Sequence, residues 1–191
     1  MENLQVQLPD ERELLSACTL QLSQGRYALV TGSSGCGKST LLRTLAGIWP
    51  YGKGKVVLPT GSRTLFLPQR PYLPLGSLRR ALYYPLSASG SDEGLQKVLR
   101  LVGLEKFIAK LDEVDDWSRI LSLGEQQRLA FARVLLVRPD WIFLDEATSA
   151  LDEPREQEMY ELLKRELPQA SIVSVGHRST LFAQHDTELH L

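Results

Sequence analysis

Short apolar runs dominate the first third of the chain, and helical spacing takes over in the middle. Residues 4–8, residues 18–22 and Tyr27–Thr31 read as strands. A glycine-rich turn follows, then a helix from Lys38 to about Ala46. Residues 55–58 and Thr64–Leu67 are further strand candidates. Beyond Gln69 the character changes: prolines, a Ser/Gly loop at 87–91, and helical patterns near 77–83, 92–102 and Leu123–Val137. Residues 112–116 form an acidic cluster that reads as a solvated face or loop. Residues 141–144 and 172–175 are continuous apolar runs, the pattern of strands covered on both faces. The pattern predicts an α/β core, residues 1–69 and 139–191, interrupted by a mainly helical insertion at 70–138. No internal repeat is visible.

Size and composition narrow this little. The 191 residues suffice for one well-buried domain, and 43% hydrophobic with 24% charged residues is ordinary for a globular chain. A formal charge of −1 gives no overall electrostatic case for nucleic acid. Two cysteines, Cys18 and Cys36, are too few for a disulfide framework and fit a reducing compartment. No apolar run approaches the ~20 residues needed to cross a bilayer, and the first residues lack the basic and apolar regions of a signal peptide. The expectation is a soluble, cytosol-facing chain.

Chemistry enters with Gly32-Ser33-Ser34-Gly35-Cys36-Gly37-Lys38-Ser39, which matches G-x-x-x-x-G-K-[ST] between a strand and a helix. Glycines let backbone amides turn inward around a phosphate, Lys38 reaches the β- and γ-phosphates, and Ser39, followed by Thr40, can ligate Mg²⁺. Cys36 is either a tolerated small residue or a reactive thiol favoured as thiolate by Lys38 and the helix start. The strand at 141–144 delivers Asp145 and Glu146 at its carboxyl end, where open α/β sheets place ligands. Asp145 suits Mg²⁺ and Glu146 suits the general base that polarises an attacking water. Gln69 and His177 also follow strand candidates, the first suited to Mg²⁺ or the water, the second to the γ-phosphate. Downstream, Ser122 and Glu125 have the spacing of a capping box, so a helix starts near Leu123 with exposed amides and the positive dipole end, which suits an anion.

In this order these residues resemble the nucleotide-binding domain of ABC transporters, over essentially the whole chain. Residues 32–39 resemble its Walker A, Gln69 its Q-loop and residues 121–125 its signature. Residues 141–146 resemble Walker B, residues 149–152 with Asp152 the D-loop, and His177 the switch histidine. The resemblance implies an α/β P-loop NTPase core with an antiparallel β subdomain and an inserted α-helical subdomain. It further implies a head-to-tail homodimer closing over two ATP with Mg²⁺. Ser122 and Gly124 would then meet the γ-phosphate bound by Lys38 of the opposite subunit, with Glu125 among the nucleotide-binding residues and Asp152 near the subunit boundary. Its partner would be a transmembrane permease domain at the cytosolic face of a membrane, with no nucleic acid involved.

Residues 67–72, 76–79, 116–118 and 176–179 look like one half-transporter group, the peroxisomal acyl-CoA transporters and bacterial relatives handling cobalamin or peptides. A bacterial inner-membrane member is the favoured expectation, and the start directly at a strand favours a motor excised from a longer polypeptide, or a truncated gene product, over a separate subunit. Two features depart from the commonest pattern: Leu123 and Glu125 stand where Gly and Gln are usual, a version shared by the bacterial relatives. No aromatic stands near Leu8 to stack adenine, so ATP over GTP selectivity is expected to be weak. The alternative function is a soluble ABC ATPase acting on nucleic acid, ribosomes or protein assembly. A guanine-nucleotide switch is disfavoured because no N-K-x-D segment is found.

Overall fold

The computed structural model describes residues 1–86 and 91–191. Residues 87–90 of the expected Ser/Gly loop lie outside them. In chain order the elements are strands β1 (Glu2–Gln7), β2 (Glu13–Cys18) and β3 (Tyr27–Thr31), helix α1 (Lys38–Leu45), and strands β4 (Gly52–Lys55) and β5 (Thr64–Leu67). Next come β6 (Gly76–Ser77), α2 (Leu78–Tyr83), α3 (Asp92–Leu101), β7 (Val114–Asp115), α4 (Trp117–Ile120) and α5 (Leu123–Val137). Then follow β8 (Trp141–Asp145), α6 (Glu153–Glu166), β9 (Ser171–Val175) and β10 (Thr187–His190). They fall into two compact units, one of Met1–Phe66, Pro139–Glu146 and Gln169–Leu191, the other of Leu67–Arg138 and Ala147–Pro168.

The first unit is built on two sheets. One is antiparallel with order β2-β1-β4, and the other has order β10-β3-β9-β8-β5 with its first four strands parallel. Strands β3, β8 and β9 are apolar along their length because both faces are covered. Helix α1 packs Leu41, Leu42 and Leu45 into a cluster with Val30, Phe143, Val173 and Val175 of the parallel sheet and Leu4, Val6 and Leu15 of the antiparallel one. Burying each such side chain contributes roughly 1.5–3 kcal/mol.

The second unit is helical and centred on α5, against which α2, α3 and α6 pack. Nearly every turn of α5 is covered: Leu129, Ala130, Phe131, Ala132 and Val134 are buried together with the polar Gln126, Gln127 and Arg133. Trp117 is fully buried, edge-on to Phe107, and its indole N–H donates to the Glu113 carbonyl at 3.2 Å. The acidic cluster is partly structured. Asp112 accepts two hydrogen bonds from Arg79, at 2.7 and 2.9 Å, and Val114–Asp115 pairs antiparallel with β6.

Several boundaries differ from the sequence reading, each for a tertiary reason. Strand β2 lies at Glu13–Cys18, not 18–22, because its Glu-Leu-Leu-Ser-Ala-Cys run follows the pairing of Val6 with Leu15 across two bulges. Strand β4 occupies Gly52–Lys55 rather than 55–58, although its residues Gly-Lys-Gly-Lys are all exposed. A Cβ at Gly54, whose φ is +110°, would lie 2.4 Å from the Asn3 carbonyl oxygen, so glycine alone allows this close approach to β1. Helix α6 and strand β10 have no counterpart in the sequence reading. Asp152 caps α6 by accepting from the Arg155 amide at 2.9 Å, with Pro154 in the first turn.

Candidate functional site

The parallel register aligns three strand ends. Val30 of β3 and Asp145 of β8 both pair with Val175 of β9, so the segments after each emerge at one level. From β3 comes the phosphate-type loop, from β8 the Asp145-Glu146 pair, and from β9 Gly176 and His177. All of these belong to the first unit.

The loop turns on glycines with positive φ at Gly32, Gly35 and Gly37. Gly37 is the N-cap of α1 with no side-chain cap, which leaves that helix start to be completed by an anion. Ser33, Ser34 and Gly35 are exposed, while Cys36, Ser39 and Thr40 are half-buried. The Cys36 sulfur packs where a Cβ on Gly32 would stand, at 3.0 Å. Lys38 is buried, and its ammonium donates to the carbonyls of Gly32 at 2.9 Å and Ser33 at 2.8 Å. These carbonyls hold the ammonium inside the loop, within reach of any phosphate the loop encloses.

Ser39 donates its hydroxyl to Asp145 Oδ1 at 2.6 Å, so an alcohol and a carboxylate oxygen already meet. Burial pushes the Asp145 carboxyl up, opposed by Ser39 and by Arg43, whose Nη2 lies 4.0 Å from Oδ2; the net shift is upward. Among the described residues no group of three His, Cys, Asp or Glu side chains gathers around a cation position. The Ser39 hydroxyl and the Asp145 carboxylate are hard oxygen donors of the kind Mg²⁺ takes, which binds through one or two carboxylates plus phosphate oxygens and waters.

Glu146 has φ of +49°, uncommon for a residue with a side chain. Its amide donates to the Val175 carbonyl at 3.1 Å, and its carboxylate Oε1 lies 3.1 Å from His177 Nε2. The strand-end hydrogen bond and the histidine together aim this carboxylate. A side chain held in a sparsely populated backbone region at a strand end is a mark of functional sites.

The second unit holds the remaining sequence-derived residues: Gln69, Ser122, Gly124, Glu125 and Asp152. Both halves of the expected capping box are present. The Ser122 amide donates to Glu125 Oε2 at 2.9 Å, the Glu125 amide to Ser122 Oγ at 3.4 Å, and the Ser122 hydroxyl to Oε2 at 2.8 Å. Ser122 is exposed, and a Cβ on Gly124 would lie 3.1 Å from the Ala150 carbonyl oxygen, so the helix start abuts the loop before Asp152. Gln69 is exposed, its amide nitrogen 3.5 Å from Ser149 Oγ, while Asp152 serves as the α6 cap.

Sequence reading missed Lys106 and Gln127. Lys106 lies 2.7 Å from Glu125 Oε1. Gln127 bonds the loops bearing Gln69 and Ser149. Two adjacent glutamines at the start of a largely apolar helix were the available signal. Structure also alters the picture near Leu8, where no aromatic stands in sequence. Trp49 donates to the Gln7 carbonyl at 2.9 Å, and Gln7 donates to the Tyr51 carbonyl at 3.1 Å.

Burial raises the Glu125 carboxyl, but the Lys106 ammonium and the Ser122 amide and hydroxyl outweigh it, leaving it below the usual glutamate range. With the folded value below the unfolded one of ~4.3, the stabilisation is complete above that pH and is lost as pH falls through the folded value. Glutamine at 125 keeps the capping geometry but not the charge. Glu125→Gln is therefore expected to show a stability deficit below about 1 kcal/mol at pH 7 that closes in acid. Denaturant titrations across pH check this, and a pH-independent gap contradicts it.

Comparison with known proteins covers the same residues. Residues 15–149 match the family model described as ABC transporter. An ABC transporter ATP-binding protein of Haemophilus influenzae is 49% identical over 191 residues, covering 100% of this chain and 32% of that protein. A human lysosomal cobalamin transporter is 37% identical over 206 residues, covering 100% of this chain and 34% of that protein. The solved structure of a bacterial Atm1-family ABC exporter with ATP bound superimposes with a TM-score of 0.86 at 26% identity, covering 100% of this chain and 36% of that one. The chain thus spans about a third of the curated relatives it matches. With its phosphate loop, aligned strand ends and capped helix, the chain belongs to the ABC transporter family, as an ATP-binding domain of that family.

Proposed function

We propose that this chain is the ATP-hydrolysing motor of a membrane transporter, working as a dimer that closes over two ATP. The observation that carries the reading is the meeting, at the carboxyl ends of adjacent parallel strands, of the Lys38 loop, the Ser39–Asp145 oxygen pair and the Glu146–His177 pair. The family, which hydrolyses ATP to drive transport, and the ATP-bound exporter of like fold support it.

In this reading the amides of residues 32–40 and the Lys38 ammonium bind the β- and γ-phosphates. Ser39 and Asp145 would hold Mg²⁺, which would neutralise charge developing on the phosphate oxygens, and Gln69 would act as the Q-loop glutamine. Glu146 accepts a proton from the attacking water, and His177 orients Glu146 and donates to the γ-phosphate. Ser122 and Gly124 meet the γ-phosphate held by the opposite copy, where the α5 amides and dipole complement its charge, and Glu125 holds the Ser122 cap in place. Asp152 lies near the boundary between copies. Hydrolysis removes the group that bridges the two copies and lets the dimer open.

Residues 1–69 and 139–191 form the nucleotide-handling core in this scheme, and 70–138 the insertion that reaches the permease. All five strands of the larger sheet come from the former segments, which supports them as the core, although Ala147–Pro168 belongs to the helical unit. Tyr72 and Leu75 are exposed and Leu73 is buried, so the first two offer an apolar surface for a permease loop. No helix among the described residues is long and apolar enough to cross a membrane. A permease domain fused in the longer polypeptide supplies the path, with this domain at the cytosolic face of a bacterial inner membrane. Affinity purification of the full-length protein from detergent-solubilised membranes is expected to return ATPase activity together with a permease, fused or bound. Recovery only with ribosomes or DNA in the soluble fraction would instead favour a non-transport ABC ATPase.

A further inference from the structure

Gln127 is fully buried on α5, among Leu129, Ala130 and Phe131 that need no polar partner. A carboxamide is retained in such a place when its hydrogen-bonding groups are satisfied. Its Nε2 donates to the Gln69 carbonyl at 2.8 Å and to Ser149 Oγ at 3.2 Å, while its Oε1 accepts from the Ala150 amide at 2.9 Å. One side chain thus joins two loops 80 residues apart in the chain, and the Gln69 side chain adds a contact of its own to Ser149 at 3.5 Å. Two of these contacts are to backbone groups, so the constraint acts on the course of both loops rather than on single rotamers.

We propose that Gln127 is a positioning residue that ties the Gln69 loop to the loop leading into Asp152, so that the two loops move as one when nucleotide is bound and hydrolysed. This rests on the roles proposed above for Gln69 and Asp152. The physical reason is the economy of the carboxamide: it offers both donors and an acceptor from one rigid plane. If either loop shifts alone, a buried donor or acceptor of the clamp loses its partner, and that cost opposes independent movement. Because the clamp sits within the first turns of α5, it also holds both loops against the helix that begins at Ser122.

The test compares kcat, KM and ATP affinity in the full-length protein. Gln127→Met preserves volume and helix preference while removing the polar contacts. It is expected to lower kcat at least ~10-fold with ATP affinity within about twofold, because the contacts it removes run to Gln69, Ser149 and Ala150 rather than to the phosphate loop. The decisive readout is a double-mutant cycle. Gln69→Ala should cost much less in the Gln127→Met background than in the wild type, since an untied Gln69 loop no longer presents its side chain. Should Gln127→Met fail to fold, Ser149→Ala removes the shared hydroxyl at an exposed position; it is expected to lower kcat about threefold with the same non-additivity.

Full additivity, or kcat within twofold of wild type in a folded variant while Gln69→Ala and Asp152→Ala are impaired, overturns the tie and leaves the site assignment standing. Unimpaired turnover in both Gln69→Ala and Asp152→Ala overturns the assignment of those loops and the tie with it.

Discussion

Replacing Glu146 with glutamine is expected to slow ATP turnover by about 10²–10⁴-fold while MgATP still binds. Such a loss corresponds to about 2.7–5.5 kcal/mol of transition-state stabilisation. The substitution is nearly isosteric, so the contact with His177 at 3.1 Å and the strand-end hydrogen bond to Val175 can both persist. What disappears is the capacity to take a proton from water. The phosphate loop, with Lys38 and the Ser39–Asp145 pair, is untouched, and so binding should survive. With the γ-phosphate left in place, the closed dimer accumulates. Size-exclusion chromatography with MgATP, set beside single-turnover hydrolysis, reads both effects. Turnover within about twofold of wild type would remove Glu146 as the base.

Ser122→Arg should separate binding from closure. Ser122 is exposed at the start of α5 and belongs to the second unit, whereas the Lys38 loop and the Ser39–Asp145 pair, proposed to hold nucleotide, belong to the first. Monomer affinity for ATP is therefore expected within about threefold of wild type, while ATP-driven dimerisation and steady-state turnover are lost. Arginine cannot accept from the Glu125 amide, so the cap is lost as well, at a cost of about 1 kcal/mol. A small fall in Tm accounts for that part and is measured separately. The steric and electrostatic misfit of a long cation at the opposing copy's site accounts for the loss of closure. A Ser122→Arg protein that still dimerises with ATP would end the trans-site reading.

Elements whose signals are local were legible in the chain itself. Strand β3, strand β5 and helix α5 occupy the expected residues, because apolar runs and the Ser122–Glu125 capping box act within a few residues of themselves. The loop at residues 32–39 was equally plain, since turning a backbone around phosphate demands glycines at set spacing. Strands β2, β4 and β10 were misplaced or absent from the reading. Their side chains are largely exposed, and they are strands because a neighbour supplies hydrogen bonds. Helix α6 escaped because Asp152 was assigned to the loop before it, although the same residue also caps the helix.

The candidate site divides in the same way. Sequence alone determined which residue types could bind phosphate, ligate Mg²⁺ and activate water: Lys38, Ser39, Asp145 and Glu146 are read from short motifs with local mechanics. Tertiary structure decided which of them meet. The shared register on Val175 brings Glu146 to His177, 31 residues away, and Asp145 to Ser39, 106 residues away. It also turned Gln127 from one polar residue of a buried helix into the link between two loops. Motif chemistry depends on neighbours along the chain, whereas pairing across strands and satisfaction of buried polar groups depend on neighbours in space, and only folding supplies those.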